Sequence, residues 1–477
     1  MPLKETYTIF MLPLSIDPEK WNVANDSIWE PAELKLEKDI LYPHIQQWLQ
    51  AAANSKNRES MPQKPQNFSI YSLRNRHADA SKKQQLAIWR KIVGTEWCLE
   101  KDGIAFKFFG KDNNLLGTKL IVSPYTRVGL LMFTLQLSEA NAETDRLVTL
   151  NYRLHKIDNQ APQIVCVPPS APLHPKKLEE LQQITVLLQS ATTDEGMPRW
   201  TLVNLIRFLL HEFNGAYSLM NSIRLHLFTY LRVTADENSR NLQEIFLRII
   251  RGENSNYLPM MSNTIDSAQI MQTFQNIFIG SSVEGGGIMT IEPNEDQAAT
   301  DSPASGHIAN FGAANLPQRY LWIYLLAIMQ RHTLLQIAGE ITAIDHSSNT
   351  DYSLTTLHSM AERVALLKAS TYFTDVSDYT QHNQFYHFCA TQLAIRQHFD
   401  ELSEKMNLLE TVIASKKDES DDVKNNRLTI ILAILTVASA TCDTLTVLTL
   451  DKFNPISGIV LALALVVLLF AAWNWKK

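Results

Sequence analysis

The sequence has little cysteine: four in 477 residues, Cys98, Cys166, Cys389 and Cys442, no two of them close together. That spacing excludes a readable disulfide framework and any CxxC zinc ribbon, so reduced thiols are expected. Charge of one sign is also scarce. The 43 Lys and Arg stand against 49 Asp and Glu, a net charge of −6. Nucleic-acid surfaces need a concentrated basic patch, and no direct nucleic-acid partner is expected. Common catalytic signatures are missing too. There is no GxxxxGK[ST], no GxGxxG after a strand and no GxSxG, and "HEFNG" at His211 lacks the second histidine of HExxH. No enzymatic activity is expected. The opening "MPLKETYTIFMLPLS" has no long apolar h-region and reads as a first strand, not a signal peptide.

Proline and glycine vanish between Gly339 and Pro455, which predicts long helices. The helical region opens near Pro317 with "LPQRYLWIYLLAIMQRHTLLQIAGEI". Further helices are expected from about Leu354 and about Asp378. In the last of these, Phe388, Ile395, Phe399, Leu402, Met406, Leu409 and Ile413 recur at three- and four-residue steps, an a/d seam. Carried from Asp378 to Arg427, it predicts one stalk helix of roughly 75 Å.

Residues 1–315 read as a mixed α/β domain. Strand-like runs include "YTIFMLPL", "IAFKFF", "VGLLMFTLQL", "QIVCV" and "IRLHLFTYLRV"; helical runs include Ala32–Gln50, Thr144–Lys156, Leu202–His211 and Arg240–Arg251. Residues 128–154 and 223–249 align without gaps at an offset of 95, matching Leu130 with Leu225, Phe133 with Phe228 and Thr134 with Thr229. Each reads as strand, acidic loop and amphipathic helix, either a duplication or two similar units. The segments 73–83 and 292–306 read as loops.

Two features carry weak site signals. Gly285, Gly286 and Gly287 follow an apolar strand. Bare glycines let backbone amides approach an anion, so they are candidates for a ligand pocket, the alternative being a hairpin turn. His387 and His398, eleven apart, would share one face of a continuous helix as metal ligands, or else be solvated polar residues.

The far end is nearly free of charge. Residues 428–450 hold one charge in 23 positions and 456–475 none in 20, each long enough to cross a hydrocarbon core. Lysines and arginines at 416, 417, 424, 427, 476 and 477 flank the pair, which predicts a multi-pass placement in the cell's plasma or inner membrane with both termini cytoplasmic. In the first run, Thr429, Ala433, Thr436, Ala440 and Asp443 form a small, polar stripe. A carboxylate in hydrocarbon costs about 2.5–3.5 kcal/mol, so Asp443 is expected to face protein or water. With Asn425 and Thr446, the stripe is the candidate pore lining of a ring of such helices.

This ending, with "NNRLTII" from Asn425 to Ile431, resembles the CorA-like family of two-span ion transporters. The resemblance implies an α+β cytosolic domain (1–315), a helical stalk (316–427) and a C-terminal transmembrane hairpin (428–450 and 456–475). It also implies a homo-oligomer, a pentamer in that family. The family's Gly-Met-Asn signature is absent where this chain has Thr446, Val447 and Leu448. Members with divergent pores occur beside type III CRISPR antiviral systems. Resemblance to that branch implies a channel gated by a nucleotide second messenger, such as an S-adenosylmethionine–AMP conjugate. The alternative is a divalent metal cation (Mg, Co or Zn) transporter. The expected partners are therefore the lipid bilayer, further copies of the chain, and an ion or nucleotide-type ligand.

Overall fold

The computed structural model describes residues 3–32, 41–42, 69–109, 116–166, 182–192, 198–292, 319–346, 360–365 and 373–417, apart from gaps of one to seven residues within these ranges. The chain divides into two compact units, one of residues 1–329 with 377–393, the other of residues 330–376 with 394–477.

The first unit is organised on one mixed sheet with fifteen strands among the described residues. They are β1 (Leu3–Ile16), β2 (Trp29–Pro31), β3 (Ser69–Leu73), β4 (Glu96–Leu99), β5 (Ile104–Phe108), β6 (Lys119–Ser123), β7 (Val128–Leu137) and β8 (Ile164–Cys166). There follow β9 (Ala191–Thr192), β10 (Pro198–Trp200), β11 (Tyr217–Leu219), β12 (His226–Thr234), β13 (Ile270–Phe274), β14 (Ile277–Ser281) and β15 (Gly285–Glu292). The path runs β13-β14-β15-β12-β1-β7-β5-β4-β8-β10-β9, with β11 beside β1 and β6, β3 and β2 continuing from β7. Among the described residues every strand pairing is antiparallel except β12 with β15.

The central strands are apolar without a break because both of their faces are covered. In "VGLLMFTLQL" of β7 only Gln136 is not fully buried. Such strands read as continuous hydrophobic runs, not as an alternation. Helices α1 (Ala80–Gly94), α2 (Thr144–Leu154), α3 (Leu202–Leu209) and α4 (Ser239–Arg251) contribute to one apolar core with Phe10, Leu12, Phe133 and Leu231. In α1, Leu86, Trp89 and Ile92 turn inward at three-residue steps, and Asp79 caps the first turn by accepting from the Ser81 and Lys82 amides.

Helix α5 (Leu321–His346) begins in this unit. Its Tyr324 ring packs on Phe228, 4.7 Å between centroids. Helix α6 (Thr380–Gln392) adds the buried Phe385 and Cys389.

The second unit contains the remainder of α5, a helical segment at 360–365 and α7 (Ile395–Lys417). Glu340 and Arg363 form an ion pair at 2.5 Å, with Arg363 nearly inaccessible. The seam residues Ile395, Phe399, Leu402 and Met406 are buried as expected. The single stalk helix from Asp378 is not found. It breaks between α6 and α7 at Ala394, whose φ of 53° lies in the left-handed region.

The CorA-like fold class is corrected. The described chain is a mixed α+β fold on a large sheet, and among its residues no helix is long and apolar enough to cross a membrane. The long apolar helix α5 is interrupted by Arg331 and Glu340. The expected hairpin, 428–450 and 456–475, lies outside the described residues, as does most of the expected helix Ala32–Gln50. Among the described residues no helix supports the multi-pass membrane placement or the membrane-channel description.

Candidate functional site

The glycine run opens a strand of the sheet directly after the tight β14–β15 hairpin turn, which the Ser282 amide closes by donating to the Gly285 carbonyl at 2.7 Å. Gly285, Gly286 and Gly287 open β15 and pair with Leu227, Phe228 and Thr229 of β12. A Cβ on Gly287 would stand 2.4 Å from the Thr229 carbonyl oxygen, and one on Gly285 2.5 Å from that of Ile250. On the other face, a Cβ on Gly286 would stand 2.8 Å from the Tyr324 ring. Their bareness lets α4 and α5 approach β15 from opposite sides.

The other candidates do not converge. Asn425, Thr429, Ala433, Thr436, Ala440, Asp443 and Thr446 lie outside the described residues. The break at Ala394 leaves His387 on α6 and His398 on α7, and no metal-holding group of His, Cys, Asp and Glu is found among the described residues. Glu212 of "HEFNG" is structural, accepting from the Ser27 hydroxyl at 2.5 Å and the Ile28 amide at 2.9 Å.

Two adjoining cavities beside α1 form a site that none of these signals indicated. The first, about 230 Å³, lies between the end of β3, α1, the residue after β5 and the start of β6. Its apolar wall includes Trp89, Val93 and Phe109, and its cations are Arg74, Arg90 and Lys119. The second, about 400 Å³, is lined by His77, Lys83, Leu86, Ala87 and Arg90. Leu86 and Arg90 belong to both. No Asp or Glu occurs among the described lining residues of either cavity.

The surroundings hold these side chains in place. The Arg74 Nε–H donates to the Ser27 carbonyl at 2.7 Å. Phe109 is fixed by its amide bond to the Thr134 carbonyl and by an edge contact with Tyr7 at 4.8 Å. Trp89 meets Phe108 edge-on at 5.9 Å. His77 Nδ1 accepts the Asp79 amide, which puts the hydrogen of the neutral ring on Nε2. The Asp79 carboxylate is turned to the Ser81 hydroxyl and the α1 amides, and these bonds hold it below the usual carboxylate range.

A second charged group nearby is internally balanced. Arg232 stands 3.7 Å from Glu5 and 3.4 Å from Glu292, Lys4 meets Glu292 at 2.8 Å, and the Tyr7 hydroxyl donates to Glu5. Burial pushes the Tyr7 hydroxyl up, so it remains a donor. This group carries two cations and two anions. A cationic concavity with aromatic walls suits a planar anion.

Fold and cleft together define a mixed α+β protein with a cation-lined cleft. Compared with known protein families, curated proteins and solved structures, the chain matches none.

Proposed function

We propose that this protein binds a small anionic ligand of nucleotide type in the cleft beside α1. The reading is carried by the cleft's lining: Arg74, Arg90 and Lys119 from three separate segments, beside Trp89 and Phe109, with no carboxylate among the described residues. Arg presents a fork that matches phosphate oxygens, and Lys adds a point charge. The partly accessible Phe109 ring, beside Val93 and the largely buried Trp89, offers apolar surface to a base. With the adjoining cavity, the space falls in the range of about 300–1,000 Å³ usual for small-ligand sites. A divalent cation would need oxygen ligands, which this lining offers poorly.

Titration calorimetry of the full chain with AMP, ATP and inorganic phosphate tests the reading. Saturable nucleotide binding is expected, weakened at least about tenfold in Arg90→Glu and in Lys119→Glu and by added salt. Both substitutions are at positions accessible to solvent. The reading is overturned if no nucleotide binds, or if both charge reversals leave the affinity unchanged.

A further inference from the structure

The cations of the cleft are divided between its two cavities. Arg74 and Lys119 line only the smaller, which also has the aromatic wall; His77 and Lys83 line only the larger. Arg90 belongs to both and stands between the two sets. On α1, Lys83 and Arg90 are two helical turns apart, about 10 Å along the axis, and face the same way. Between them on that face lie Leu86, which lines both cavities, and Ala87, whose single methyl adds little bulk to the larger one.

We infer that the ligand carries two separately attached phosphate groups, one held with its base in the smaller cavity and one in the larger, with Arg90 shared between them. The inference rests on the nucleotide reading and specifies its ligand class. A single phosphate occupies only one set of cations. A ligand with a second phosphate on the far side of its sugar reaches Lys83 and the His77 Nε2–H as well. The smaller cavity recognises the flat ring, and the larger, with no aromatic side chain in its described lining, recognises charge.

The test compares AMP with adenosine 3′,5′-bisphosphate on the full chain by calorimetry, in the parent protein and in Lys83→Ala and Ala87→Glu. The bisphosphate is expected to bind at least about tenfold more tightly than AMP. Lys83→Ala is expected to reduce that advantage to under about threefold while leaving AMP affinity unchanged. Lys83 is exposed, and a change there leaves the core intact. Ala87→Glu, which adds bulk and a carboxylate between Lys83 and Arg90 in the larger cavity, is expected to act in the same direction and more strongly. If AMP and the bisphosphate bind equally, the two-phosphate inference falls and the nucleotide reading stands. If neither binds, both fall. If the bisphosphate advantage survives in both variants, the larger cavity is not its source and the inference is overturned.

Discussion

On one side of β1 stands β7 followed by α2; on the other stands β12 followed by α4. Both strands run antiparallel to β1, and both helices add to the same core. The helix starts, Thr144 and Ser239, keep the 95-residue spacing seen in the sequence. The strands do not. Ile9 faces both Thr134 and Phe228, which are 94 apart. A slip of one residue exchanges the faces of a strand. Phe133 accordingly belongs to the helix-side core with Phe10, while its sequence counterpart Phe228 lies on the other face against Tyr324.

The helices are also seated differently. Helix α2 is tied to the sheet by one buried amide. Asn151, fully inaccessible, accepts from the Thr8 hydroxyl at 3.0 Å, donates to that of Thr229 at 3.0 Å, and reaches the Ile249 carbonyl. Helix α4 has Phe246 at the matching position and settles onto bare backbone at Gly280 and Gly287. One helix is located by hydrogen bonds and the other by close approach.

His155 joins the two strand–helix segments, and the largest expected effect is there. It follows α2, its carbonyl accepts the Leu225 amide that leads into β12, and its ring lies 3.1 Å from a Cβ position on Gly252, just past α4. The Nδ1–H donates to the Tyr152 carbonyl at 2.8 Å. Burial, with Arg224 adding to it, brings the ring down to about 4 from 6.5. The unfolded chain thus takes up this proton near pH 6.5 and the folded chain only near 4. The stabilisation is complete above pH 6.5 and is lost as pH falls toward 4, about 3 kcal/mol in full. Urea unfolding at pH 7 and pH 5 should differ by about 2 kcal/mol more in the parent than in His155→Leu. An equal difference in both proteins would remove His155 as the joint.

Gly287→Ala comes next. Its Cβ would press on the Thr229 carbonyl, main chain that cannot turn aside, and a loss of about 2–3 kcal/mol is expected from urea unfolding. Asn151→Ala should cost somewhat less, about 2 kcal/mol, because two buried hydroxyls lose their amide partner. Thr8 and Thr229 still face each other at 3.2 Å, which limits the damage. If Asn151→Ala proved the costlier by more than about 1 kcal/mol, hydrogen bonds would outweigh close approach, and the contrast between the two strand–helix segments would be reversed.

Much of the sheet was legible in the sequence. The runs at β1, β5, β7, β8 and β12 are apolar and β-branched or aromatic, and helices α2, α3 and α4 lie where their periodicity placed them. The break before α7 was not, because alanine is the strongest helix former and nothing in "TQLAIRQ" marks a left-handed residue. Nothing in the sequence placed the glycine run, read as a ligand pocket or a hairpin turn, within a strand, because glycine disfavours strands. Here the need for close helix approach outweighs that preference. The cleft escaped notice because Arg74, Arg90 and Lys119 are each ordinary surface residues locally, and only α1, β3 and β6 bring them together. The basic cluster at 74–77, just before the Asp79 cap, was the one local sign. The stripe around Asp443, the most conspicuous pattern in the sequence, lies outside the described residues.

The single parallel seam between β12 and β15 has a consequence for how the chain can vary in length. An antiparallel neighbour can follow through a tight turn, but a parallel one requires the chain to travel back to the starting edge. Here residues 235–284 make that journey, carrying α4, β13 and β14 with them. The entropy of closing such a loop grows only with the logarithm of its length, about 0.6 kcal/mol for each doubling. Additional residues between α4 and β13 would therefore cost the fold little, while one extra residue inside β15 would shift its glycines out from under α4. Length is free in the crossover and fixed in the strand it delivers.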